Sequence, residues 1–391
     1  MTSPAQNPPV TEPVSGIIRW GVAASAARTL SGPGPRLGAA EAGAAVEDIR
    51  AKAAASVEHV HRITGLEAAR ELRDSEVLVV DRGGWATAAV GGFRGMLEPG
   101  LGAVMAQRYP DGGAPLSLRM GGYGLGAEIG GLVALLSGHV LGQYDPFSTS
   151  PAAPGGRLLL VAPNIVQVQR QLNVDPDDFR LWVALHEQTH RVQFAAAPWL
   201  RAHLQGHVNE LVQGLLALPT SLGERIKSLT GSVRSDSADA APGPVQLPDD
   251  AASARAAAPP EAGAGFLDLV TGPRERAALS RVTAVMSLLE GHANVVMDAV
   301  DASVVPSVRT IRRRFEARGS ERSALQKLLL RVIGMAAKQK QYQDGARFVR
   351  AGVDALGMRG FNVVWEAPER LPSEAELHDP AAWVARMRAA S

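Results

Sequence analysis

Residues 175–197 read Asp175-Pro176-Asp177-Asp178-Phe179-Arg180-Leu181-Trp182-Val183-Ala184-Leu185-His186-Glu187-Gln188-Thr189-His190-Arg191-Val192-Gln193-Phe194-Ala195-Ala196-Ala197. The stretch predicts a helix that carries its own punctuation. Asp175 can accept the orphan N–H groups of the first turn, and Pro176 at the first helical position loses nothing by having no N–H. Asp177 and Asp178 favour the positive end of the helix dipole, and Pro198 ends the run. Phe179, Trp182, Val183, Leu185, Val192 and Phe194 make the helix apolar over much of its circumference, so it belongs in a core. Two histidines and a glutamate on such a helix need partners, because an unpaired polar group is costly away from water.

The spacing says which partner. Residues four apart lie one turn apart on one face, so His186 and His190 can aim a ring nitrogen at one ion. Imidazole suits zinc. Glu187, turned about 100° from His186, stands beside that ion, where it can take a proton from a water on the metal and pass it to a leaving group. A catalytic zinc site uses three protein ligands and a water. The extended pattern H-E-x-x-H-x-x-G-x-x-H fails, since Gln193 and Ala196 stand where it needs Gly and His. The third ligand is therefore sought on a later helix. The best candidate is Glu290 in Ser287-Leu288-Leu289-Glu290-Gly291-His292-Ala293-Asn294, a carboxylate in an apolar setting beside a glycine that permits close approach. A salt-bridged or helix-end glutamate is the competing reading.

HEQTH followed by a distant Glu290-Gly291-x-Ala293 resembles the glutamate-ligand zincins. More closely, the chain resembles the type-2 zincin-like metallopeptidases, a bacterial family often labelled as associated with biosynthesis of a deazaflavin coenzyme. The likeness runs through Val80-Asp81-Arg82 with Trp85, Leu141-Gly142-Gln143-Tyr144-Asp145, the motif helix, Pro198-Trp199-Leu200-Arg201, the Glu290 helix, and Lys340-Gln341-Tyr342 to Phe348. It implies a mainly helical, zincin-like α+β fold with a small β component and zinc hydrolase activity, and it brings no substrate.

Composition narrows the classes. Among 391 residues there is no cysteine, which excludes disulfides, iron–sulfur clusters, thiolate zinc sites and a cysteine nucleophile. A formal net charge of +1 gives no bulk attraction to nucleic acid. The N-terminus lacks the basic and apolar regions of a signal peptide, and with the missing cysteines this favours the cytoplasm. Gly122–Gly142 is long and apolar enough to resemble a membrane span, but Glu128, His139 and the repeated glycines favour a helix or helix pair buried in a soluble core.

The organisation expected is a disordered tail over 1–15, a helical part over 16–230, a disordered insertion over 231–265, and a second helical part over 266–391 that completes one domain. Val77–Val80 with Trp85–Val90 and the Gly91-Gly92 pair reads as a short hairpin or the start of the next helix, Gln143–Gly156 as a turn-rich loop, and Arg157–Val161 and Phe361–Trp365 as strands. Several secondary residues are singled out. His292, Asn294 and Asp298 lie near Glu290 and can contact substrate or orient a ligand histidine. Tyr342 and Tyr144 can stabilise an oxyanion. His203 and His207 form a weaker pair, read as a solvated face before a second metal site. His59 and His61 are incidental, and the arginines of 309–322 read as a solvated surface.

The leading expectation is a zinc-dependent peptidase in which His186, His190 and Glu290 hold the metal and Glu187 is the base. The alternatives are a zinc hydrolase of a small non-peptide metabolite and a helical scaffold with structural zinc; a membrane-embedded peptidase is more distant. The partner expected is a peptide or amide substrate, with no nucleic acid and no membrane.

Overall fold

The computed structural model describes residues 16–111, 115–217, 272–317 and 341–390. The expected tail and insertion lie outside them. The described chain is mainly helical around one small sheet. In order it runs α1 (Trp20–Leu30), α2 (Ala39–Thr64), β1 (Ser75–Val80), α3 (Arg82–Arg108), α4 (Leu116–Ser137), β2 (Gly142–Asp145), β3 (Gly156–Val161), α5 (Ala162–Leu172), α6 (Pro176–Ala196) and α7 (Leu200–Ala217). After the undescribed segment come α8 (Pro273–Asp298), α9 (Val308–Ala317), α10 (Gln341–Phe361), α11 (Glu374–His378) and α12 (Pro380–Ala389).

The sheet order is β1-β3-β2, with β1 parallel and β2 antiparallel to β3. β3 is the apolar run expected from sequence, and its Leu158, Leu159, Leu160 and Val161 are fully buried. A strand buried on both faces has this continuous pattern because helices cover both sides. One side is α3, where Trp85 Nε1 donates to Gln143 Oε1 at 3.0 Å. The other is α6, where Phe194 packs on Tyr144 with ring centroids 5.3 Å apart.

The motif helix forms as its punctuation predicts. Asp175 Oδ1 accepts from the Asp178 N–H at 3.0 Å, and Pro176 opens the helix. Phe179, Leu185 and Val192 are fully buried in the larger of two apolar cores, which runs from Ile49 to Met387 and joins both helical parts of the chain. Removing each such side chain from water stabilises the fold by roughly 1.5–3 kcal/mol. Polar residues on α6 tie it to its neighbours. Gln188 Nε2 donates to Ala53 O at 2.8 Å, and Arg191 donates to Ser75 Oγ, Ser75 O and Leu72 O, tying α6 to the start of β1.

The structure decides four local readings. Trp85 to Gly92 lies inside α3, capped by Asp81, which accepts from Gly84 N–H at 2.6 Å. Its glycines serve approach rather than turning: a Cβ on Gly92 would lie 2.6 Å from Asp145 Oδ2. The loop expected over Gln143–Gly156 begins as β2, because β3 supplies the ladder partner that a local reading does not see. Phe361–Trp365 is no strand. It leaves α10 and continues as a 3₁₀ turn over Asn362–Trp365, with Val364 and Trp365 buried; a short apolar run does not distinguish strand from buried helix. The glycine-rich stretch forms α4, and no described helix is long and apolar enough to cross a membrane. Its small residues fit against the backbone of α1 and the segment before it, where a Cβ on Gly122 or Gly126 would come within 2.6 Å of Gly16 O or Arg19 O respectively. Only that face is buried; Leu116, Met120 and Leu135 are exposed on the other.

Candidate metal centre

Helix α6 sets His186 and His190 one turn apart, with ring centroids 4.9 Å apart and ring planes at 88°. Helix α8 brings Glu290 to them. Its Oε1 lies 3.7 Å from His190 Nε2 and its Oε2 4.0 Å from His186 Nε2. One ligand atom from each residue lies within 4.8 Å of the others, and no other such group of three occurs among the described residues. Bonds of about 2.0–2.1 Å in a tetrahedron put ligand atoms roughly 3.3 Å apart. The two Glu290–histidine spacings, 3.7 and 4.0 Å, need only a small contraction to reach that. The donor set, two imidazoles and a carboxylate, fits zinc, and three protein ligands leave a tetrahedral position for water or substrate. The histidine side chains are 12% and 13% exposed and that of Glu290 32%, so the cluster reaches solvent on one side.

Glycines allow this convergence. A Cβ on Gly291 would collide with the backbone of Gly345 and Ala346, and one on Gly345 with Ser287 O. Helices α8 and α10 therefore cross in direct backbone contact next to Glu290. At the sheet, a Cβ on Gly142 would lie 2.6 Å from Glu187 Cγ and 2.8 Å from its Cδ. The edge strand β2 thus presses against the side chain of Glu187, which is buried beside the cluster.

Gln193 connects the two ligand helices. Its Oε1 is 3.0 Å from His190 Nδ1, and its Nε2 donates to Leu289 O at 2.9 Å and lies 3.0 Å from His292 Nδ1. In the sequence, Gln193 served only to exclude a third-histidine pattern. The available signal was an amide one turn from His190 on a buried helix.

The profile of a family described as zincin-like metallopeptidases matches residues 18–384. The chain belongs to the zincin-like metallopeptidase family. It is also similar to a solved protein described as "a putative hydrolase with a novel fold from Chloroflexus aurantiacus", at 30% identity and a TM-score of 0.63, over 95% of this chain and 99% of that one. No curated protein matches it. Members of a zincin-like family hold a metal, and the three-residue cluster of this member joins two histidines of the motif helix to Glu290 of α8.

Other residues of this zincin-like chain take different places from those expected. His292 is fully buried, stacked on Phe361 with centroids 6.1 Å apart and edge-on to Trp365 at 5.2 Å. It does not reach substrate. Burial, helped by nearby His190, lowers its pKa to about 3, so the ring is neutral. Asp298 does not orient a ligand histidine. It lies at the end of α8, exposed, and pairs with Arg350 at 2.6 Å and Arg312 at 3.5 Å, cations that offset an acid at a helix C-terminus. Asn294 is half-buried and makes no described hydrogen bond to His186 or His190.

Tyr144 donates its hydroxyl to Gly155 O, and burial raises its pKa, so it is committed to holding the loop before β3. The side chain of Tyr342 lies outside the described residues. His203 and His207 pack edge to face at 4.6 Å, and His207 Nδ1 meets Glu210 at 3.4 Å and Arg281 at 3.3 Å; with the His207 side chain only 12% exposed, the pair is less solvated than the open face expected. In α9, Arg314 donates to Leu172 O and Asn173 O, which holds it against the end of α5.

Proposed function

We propose that the protein is a zinc-dependent hydrolase that cleaves an amide bond, with His186, His190 and Glu290 as ligands and Glu187 as general base. The observation that carries this reading is the convergence of Glu290 on two histidines flanking Glu187. When bound, the metal supplies a Lewis acid that polarises a carbonyl and acidifies water. Glu187 then takes a proton from the attacking water and delivers it to the departing nitrogen. Its place under Gly142 limits where its carboxylate can lie. A structural role for the metal is disfavoured by the open side of the cluster and by a carboxylate with no need to be there.

A peptide is the substrate this arrangement favours. Val161 N–H donates to Leu141 O at 2.8 Å, so residues 141, 143 and 145 face β3 in the ladder. By alternation Gly142 and Tyr144 turn their N–H and C=O groups to the other edge, where no described strand pairs with them. An extended peptide can add there, in register with Glu187 and the metal cluster. A metabolite hydrolase has no need of such an edge. The test is digestion of a mixed peptide library by the zinc-loaded protein, read by mass spectrometry. Wild-type cleavage that is lost in Glu187→Gln is expected; amide metabolites turned over while peptides stay intact would overturn the peptide reading.

A further inference from the structure

We infer that Gln193 is a positioning residue that locks the tautomer of His190 and fastens it to the helix carrying Glu290; this rests on the metal-binding reading above. One neighbouring atom has only one possible role. Leu289 O is a carbonyl and can only accept, so the Gln193 atom 2.9 Å from it is the amide nitrogen. The other end, Oε1, therefore faces His190 Nδ1 at 3.0 Å. Two acceptors cannot share that bond, so His190 carries its proton on Nδ1 and keeps the lone pair on Nε2. That Nε2 is the atom 3.7 Å from Glu290 Oε1, inside the cluster. The second amide hydrogen of Gln193 points to His292 Nδ1 at 3.0 Å, which must accept, so His292 carries its own proton on Nε2. Both donors and the acceptor of one buried amide are thus used, and the side chain cannot flip without opposing like groups.

The placement does a second thing. Leu289 is the residue before Glu290 on α8. One side chain therefore reads the position of the third-ligand helix and sets the ligating nitrogen of the second histidine. Ligand histidines held through their other nitrogen are more basic and better oriented, and losing such a partner typically weakens metal binding about 10–100-fold.

The test uses the full chain with zinc as the probe. Imidazole nitrogen NMR of the metal-free wild type at alkaline pH reads the His190 tautomer, and chelator competition reads zinc affinity in wild type, Gln193→Met and His190→Ala. Expected are an Nδ1-protonated His190 in wild type, a mixed tautomer in Gln193→Met, and zinc affinity lower by about 10–100-fold in that variant. An Nε2-protonated His190 in wild type would overturn the inference. So would a folded Gln193→Met with wild-type tautomer and affinity. If wild type and His190→Ala hold zinc equally poorly, the metal reading fails, while the tautomer of the metal-free protein still decides the role of Gln193. Should Gln193→Met not fold, the wild-type tautomer is decisive alone.

Discussion

Glu187 and Gly142 are separated in sequence by a strand and a helix, yet one constrains the other. The Gly142→Ala methyl, 2.6 Å from Glu187 Cγ, has to turn the carboxylate away or push β2 outward. Neither movement touches the three ligands. Gly142→Ala is therefore expected to keep its zinc and lose about 100-fold in kcat, since a displacement near 1 Å has that scale of effect. Steady-state kinetics beside metal analysis checks this; wild-type kcat would show that Glu187 needs no such support. At this scale the pairing of His186 with His190 in one cluster was legible in the sequence, because H-E-x-x-H encodes its geometry in helical spacing. The sequence did not make Gly142 or Gln193 legible. Their roles depend on what lies opposite them across tertiary contacts, and a single residue carries no sign of that. Asp298 misled for the same reason, since the arginines that claim it come from α9 and α10.

At the scale of elements, the motif helix and the α8–α10 crossing do separate work. Asp175 caps α6 far from the chemistry, so Asp175→Ala is expected to cost about 1 kcal/mol of stability with kcat unchanged. Thermal melting read alongside activity tests it. The crossing behaves otherwise. Gly291→Ala must push apart backbones that are in contact, at about 1–3 kcal/mol, and the displaced helix carries Glu290. A fall in zinc affinity accompanying the lower melting temperature is expected; unchanged affinity would mean that α8 is not held in place by the crossing. Elements marked by strong local signals, such as α6 with its Asp175–Pro176 start and β3 with its apolar run, were legible in sequence. Elements whose state is set by a distant partner were not. β2 exists because β3 pairs with it, and residues 362–365 form a 3₁₀ turn that pairs with no described strand.

For the whole molecule, the proposed ligands come from separate stretches of the chain that share one core. His186 and His190 stand on α6, whereas Glu290 arrives on α8 from beyond the undescribed segment. Metal bound at the proposed site would therefore fasten these stretches together and stabilise only the folded state. At zinc 100-fold above its Kd the gain is about 2.7 kcal/mol, which should raise the melting temperature of wild type and leave that of His190→Ala where it is without metal. The central claim is the three-residue site itself, and metal analysis of the zinc-reconstituted protein tests it most directly. Near-stoichiometric zinc is predicted in wild type and in Glu187→Gln, and its loss in His186→Ala and Glu290→Ala. A wild type that retains no zinc, or a Glu290→Ala variant that retains it fully, would contradict it.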